Sequence, residues 1–137
     1  ETVTRLMGDS SDQQSVLVID DDADVRDLLS RMLVDAGWSA ETAKDGKDGL
    51  EKVKAKPSLI VLDLEMPRMD GFEFLEAYMR DYTAEERAPV LVYSGKDLTD
   101  VQKELLDENV AGMVRKDDVS MDELSAIVKS IYQEASS

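Results

Sequence analysis

Residues Val16–Arg26 read VLVIDDDADVR, an apolar run that ends in three consecutive aspartates. Like charges side by side gain nothing from core burial, so the function of the sequence is sought at the end of that run. Outward from it, Val25, Leu28, Leu29, Met32, Leu33 and Ala36 recur at helical spacing until Gly37. The opening unit is therefore a strand, Val16–Asp20, followed by a helix.

The same alternation continues along the chain. SAETA (Ser39–Ala43) reads as a weaker strand, Gly46–Ala55 as a helix stopped by Pro57, and SLIVLDL (Ser58–Leu64) as a strongly apolar strand. GFEFLEAYMR (Gly71–Arg80) is a short helix, and TAEERAP (Thr83–Pro89) is a loop that carries a helix-start signal at Thr83 and Glu86. PVLVYSG (Pro89–Gly95) is a third apolar strand. The helix expected over Leu98–Asn109 has a thin apolar stripe of Leu98, Val101, Leu105 and Leu106. GMVRK (Gly112–Lys116) is the fifth strand. The last helix, Ser120–Glu134, opens with a capping box at Ser120 and Glu123 and aligns Leu124, Ile127, Val128 and Ile131.

Continuously apolar strands belong in a sheet covered on both faces by helices. Strands alternating with helices, joined by right-handed crossovers, give an α/β fold with a doubly wound, five-stranded parallel sheet. The 137 residues suffice for one domain. The expected division is a tail or linker over 1–15, a domain over 16–134 and a short tail over 135–137.

Composition narrows the chemistry. Sixteen basic against 31 acidic residues leave a net charge of −15, which repels nucleic acid and anionic membrane surfaces. No apolar run is long enough to span a membrane, and the expected location is the cytoplasm. The sequence holds neither cysteine nor histidine, which removes thiolate and imidazole nucleophiles and zinc sites built on them. Carboxylates, hydroxyls, lysine and a hard metal ion remain.

In open α/β sheets ligands bind beyond the carboxyl ends of the strands. Those ends supply Asp20 and Asp21 after the first strand, Asp63 after the third, Ser94 after the fourth and Lys116 after the fifth. Three carboxylates gathered on one rim repel one another unless a cation sits among them, and an oxygen-only donor set suits Mg²⁺, Mn²⁺ or Ca²⁺. Asp22 and Asp24 have a plainer role, as cap and first-turn acids of the helix.

VLVIDDDADVR, LIVLDLEMPRMDGFEFL, PVLVYSG and AGMVRK, in that order, resemble the receiver domain of two-component response regulators, over Ser15 to about Gln133. The resemblance implies a flavodoxin-like strand order, 2-1-3-4-5. It also implies that Asp63 is the phospho-accepting aspartate and that Asp20, Asp21 and Asp63 hold Mg²⁺, or Mn²⁺, with the backbone carbonyl of Glu65. Ser94 matches the switch hydroxyl and Lys116 the phosphoryl-binding lysine. The implied activity is transfer from a phosphohistidine onto Asp63, a signalling step catalysed by the domain itself rather than an enzyme's turnover. Ser94 would meet a phosphoryl oxygen only in the phosphorylated state. The signalling face is that of the fourth helix, fifth strand and fifth helix.

The donor is a histidine kinase or histidine phosphotransfer protein, or a small phosphodonor, and the recipient of the signal is an output protein or domain. Homodimerisation on phosphorylation is left open. Both a stand-alone regulator and a receiver excised from a hybrid sensor kinase or multidomain regulator fit the pattern.

Two positions depart from it. Met113 stands where the family usually places a switch aromatic, and Asp117 follows Lys116 where proline is usual. Tyr93 is a tempting replacement ring, but neighbouring strand residues face opposite sides. Glu65 and Lys96 flank the expected mouth of the site and are candidates to pair across it. The competing classes are a haloacid-dehalogenase-type phosphatase, which also uses an aspartate with Mg²⁺, and a pseudo-receiver that binds partners without phosphorylation.

Overall fold

Apolar residues alternate between two helical layers along each central strand, which explains why the strands read as unbroken apolar runs. Leu17, Ile19, Ile60, Leu62, Val90 and Val92 join one buried cluster. Val16, Val18, Leu59, Val61, Leu91 and Tyr93 join the other. The computed structural model describes residues 14–95 and 97–136.

The elements are β1 (Ser15–Ile19), α1 (Ala23–Asp35), β2 (Ser39–Ala43), α2 (Gly46–Lys52), β3 (Leu59–Leu62), α3 (Gly71–Asp81), β4 (Val90–Ser94), α4 (Asp100–Asn109), β5 (Gly112–Arg115) and α5 (Met121–Ser136). All strands are parallel, in the order β2-β1-β3-β4-β5, as expected. Phe74, Leu75, Tyr78 and Leu106 bring α3 and α4 onto one face of the sheet, and Val53 follows α2 there in a single 3-10 turn, Val53–Ala55. Leu29 and Leu33 of α1, with Leu124 and Val128 of α5, cover the other.

Local signals explain most boundaries. Asp22 caps α1 by accepting from the Asp24 N–H, and Gly37, at φ 99°, turns the chain after α1. Capping boxes open α3 at Asp70 and Glu73 and α4 at Thr99 and Gln102. Ser120 and Glu123 exchange their expected hydrogen bonds at 2.9 and 3.1 Å. The tail expected over 135–137 is partly helical, since α5 runs on to Ser136.

Two local signals have a limited outcome in the fold. Thr83 and Glu86 make both capping-box hydrogen bonds, yet only a turn follows. Pro89 removes a donor and disfavours helical backbone at Ala88, so no helix can propagate before β4 begins. Helix α4 is polar with a thin apolar stripe, as expected, and only Leu106 of that stripe is buried in the helix, while Val101 is 76% and Leu105 53% exposed. Leu106 lies well over a quarter turn round the helix from Val101, so burying one turns the other outward.

Candidate acidic site at the strand ends

The sheet's hydrogen-bond ladder continues one residue past three of its strands, and those three residues carry the site. The Asp20 N–H donates to the Ala43 carbonyl at 3.1 Å, the Asp63 N–H to Ile19 at 2.9 Å and the Lys116 N–H to Ser94 at 3.1 Å. Their backbones thus have the register of the sheet. Ser94 is the last residue of β4, opposite Arg115 of β5.

The side chains converge. Oxygens of Asp20, Asp21 and Asp63 lie within 4.8 Å of one another. Asp20 and Asp63 are 2% and 4% exposed, whereas Asp21 faces solvent. Asp20 Oδ1 accepts from the Asp22 N–H at 2.9 Å, and the Arg26 guanidinium donates to the Asp20 carbonyl at 2.8 Å. Asp63 Oδ1 accepts from the Ser94 hydroxyl at 3.0 Å and from the Glu65 N–H at 3.4 Å. Lys116 Nζ donates to Asp20 Oδ2 at 2.8 Å and lies 3.9 Å from Asp63 Oδ2.

Burial, and then the charge of Asp20, push the Asp63 carboxyl up to about 6, against the opposing pull of Lys116, Ser94 and the Glu65 N–H. Burial alone would lower the Lys116 ammonium. The hydrogen bond and charge of Asp20, with the charge of Asp63, outweigh it and raise its pKa. One ammonium against three carboxylates leaves the pocket short of positive charge. Hard, oxygen-only donors short of a counter-charge fit a divalent cation such as Mg²⁺, and no thiolate or imidazole competes.

Beside the acids, Asp21, Leu64, Glu65, Met66, Pro67, Asp70, Phe72 and Gln102 line a cleft of about 440 Å³. Met113 lies on β5 opposite Val92 and packs against the cluster under α3 and α4. Tyr93 points to the other layer, as alternation requires, where the Lys116 ammonium sits 5.7 Å from its ring centroid. No cis peptide occurs among the described residues. Lys96 lies outside them, and with it the expected Glu65–Lys96 pair.

Residues 16–129 match the response regulator receiver domain family. The chain belongs to that family. It is 48% identical over 81 residues to protein-glutamate methylesterase/protein-glutamine glutaminase 1 of Anaeromyxobacter dehalogenans, covering 58% of this chain and 22% of that protein. It is 36% identical over 99 residues to response regulator MprA of Mycolicibacterium vanbaalenii, 72% of this chain and 38% of the relative. The receiver domain thus spans well under half of these relatives. Among solved structures, chemotaxis protein CheY4 of Vibrio cholerae superposes with a TM-score of 0.75 at 30% identity, over 87% of this chain and 98% of that one.

Two buried positions of this receiver, of which the first abuts Asp63, were not legible in the sequence. A side chain at Gly71 would place its Cβ 2.6 Å from the Asp63 carbonyl oxygen and 2.8 Å from Leu64 Cα, so glycine lets α3 start against the backbone that carries Asp63. The Gly71 N–H also donates to the Leu64 carbonyl at 3.1 Å. The Asp-Gly pair in MDGFEF was the available signal. Asp45, 4% exposed, caps α2 and pairs with Arg68 at 3.8 Å. Its place as an acid before a glycine-led helix marks a cap but not its burial.

Proposed function

We propose that this receiver accepts a phosphoryl group onto Asp63 from a phosphohistidine of a histidine kinase or phosphotransfer protein. The observation that carries the reading is the setting of Asp63: a buried carboxylate between Ser94 and Lys116, within reach of two further acids. The 137 residues contain no histidine, so the donor imidazole comes from outside them.

Ser94 and the Glu65 N–H engage Oδ1, which leaves Oδ2 with lone pairs for in-line attack on phosphorus. The new P–O bond forms as the P–N bond of the donor breaks, and the imidazole nitrogen keeps the electron pair. Asp20, Asp21 and Asp63 would hold Mg²⁺, with Glu65 contributing its carbonyl, and the ion supplies the positive charge that an anionic phosphoryl group requires. Lys116 exchanges part of its bond to Asp20 for a phosphoryl oxygen. Ser94 does the same with Asp63, so its hydroxyl is engaged before the reaction and changes partner in it.

That exchange pulls on the β4–α4 connection and biases the α4–β5–α5 face toward an output protein or domain. The product is a stoichiometric acyl phosphate, formed in the cytoplasm, rather than a turned-over substrate. The domain proper is taken as 16–134.

The test is a beryllofluoride titration with Mg²⁺, followed by amide NMR on wild type and Asp63→Asn. Shifts centred on Asp63, Ser94 and Lys116 in wild type alone support the assignment. An equal response in the variant removes it, and sustained hydrolysis of p-nitrophenyl phosphate would move the protein to the phosphatase class.

A further inference from the structure

A groove between α3 and α4 combines exposed apolar side chains with walls of a single charge. It encloses about 300 Å³ and is lined by Phe72, Leu75, Met79, Leu105 and Leu106, with Glu73, Glu76 and Asn109. Val101 stands one turn before Leu105 on the same side of α4 and is 76% exposed, so the apolar surface runs on beyond the groove.

The acidic walls outnumber the cations near them. Glu73 and Glu76 line the groove from α3, and outside it α4 carries exposed Glu104 and Glu108, the latter lining a separate cavity. Of the basic residues on these helices, Arg80 pairs with Asp81 at 3.1 Å and attracts Glu76 only as its weakest charge contact. The other, Lys103, lines a different cavity with Met113 and Arg115. A second copy would set the same acids against themselves in a chain of net charge −15, and an anionic membrane would be repelled likewise.

We infer that the α3–α4 groove docks a basic amphipathic helix of a partner protein. Its apolar stripe lies along Val101, Leu105 and Met79, and its lysines or arginines face Glu73, Glu76 and Glu104. Helices bind grooves in this way through apolar anchors at i, i+3, i+4 and i+7, with charge setting the choice of partner. Phe72 lines both this groove and the cleft beside Asp21 and Glu65, so the docking surface adjoins the acidic site.

The test uses the full chain and a fluorescent leucine–lysine amphipathic helical peptide, compared with a scrambled peptide of the same composition at physiological ionic strength. Binding is read by anisotropy and located by amide NMR. The expected result is preference for the amphipathic peptide and shifts concentrated on α3 and α4. Leu105→Glu and Val101→Glu should each weaken binding by about tenfold or more. Both positions are exposed, so these variants keep the fold, and Leu28→Glu on α1 should change nothing. Equal binding of the scrambled peptide, no binding, shifts on another face or an unaffected Leu105→Glu would each overturn the inference. Sedimentation showing a dimer that Leu105→Glu dissociates would assign the groove to a second copy instead.

Discussion

Lys116 is bound to Asp20 more closely than to Asp63: its ammonium lies 2.8 Å from Asp20 Oδ2 and 3.9 Å from Asp63 Oδ2. The lysine therefore neutralises one acid while its field still lowers the proton affinity of the other. Lys116→Ala should raise the Asp63 pKa above about 6 in metal-free protein, a shift visible in its side-chain carboxyl carbon resonance. Phosphorylation by acetyl phosphate should fall about a hundredfold, the usual cost of removing one preorganised charge-stabilising donor.

Metal-free stability should depend on pH through Asp63. Its folded pKa of about 6 exceeds the unfolded value of 3.8, so the folded chain holds more protons between those limits. Stability therefore falls as pH rises from about 4 to about 6, by up to about 3 kcal/mol from this group. Urea melts in chelator across that range should show the slope, and Asp63→Asn should abolish it. Mg²⁺ should restore stability most strongly above pH 6.

Asp21 and Asp22 should separate cleanly. Asp21 offers an oxygen to the acidic cluster, so Asp21→Ala should abolish Mg²⁺-dependent phosphorylation. Asp22→Ala removes the cap of α1 and should cost about 1 kcal/mol in stability. The bond from residue 22 to Asp20 uses the backbone N–H and survives, so phosphorylation should remain near wild type.

Gly71→Ala should act from behind Asp63. The added methyl would lie 2.6 Å from the Asp63 carbonyl oxygen, and a backbone atom cannot swing aside. A loss of about 2 kcal/mol or more in urea melts is expected. The beryllofluoride-induced shifts of Asp63 should weaken with it.

The sheet and the rim were legible because they depend on residue type at strand ends, where periodicity stops and charge begins. Asp20, Asp63, Ser94 and Lys116 could be placed together from that alone. What each touches could not, because the competition between Asp20 and Asp63 for one ammonium is settled by differences of about an ångström. Thr83–Glu86 shows the limit of local signals, since its hydrogen bonds form and the following Pro89 still prevents a helix. Val101 and Leu105 show another: apolar spacing announces a helix face without saying what that face meets.

The ladder that extends past β1, β3 and β5 also sets the timescale on which different parts of the molecule open. Amides of Asp20, Asp63 and Lys116 donate to carbonyls of neighbouring strands. Exchange of the Asp63 amide with solvent deuterium should require opening of the central strands β1 and β3, and that of Asp20 and Lys116 the release of edge strands β2 and β5. Helix α4, anchored through Leu106, can exchange by detaching locally. The acidic site would then sit on a slowly exchanging layer of the protein, while α4, beside it, stays free to change its packing without unfolding the strand that leads to Asp63.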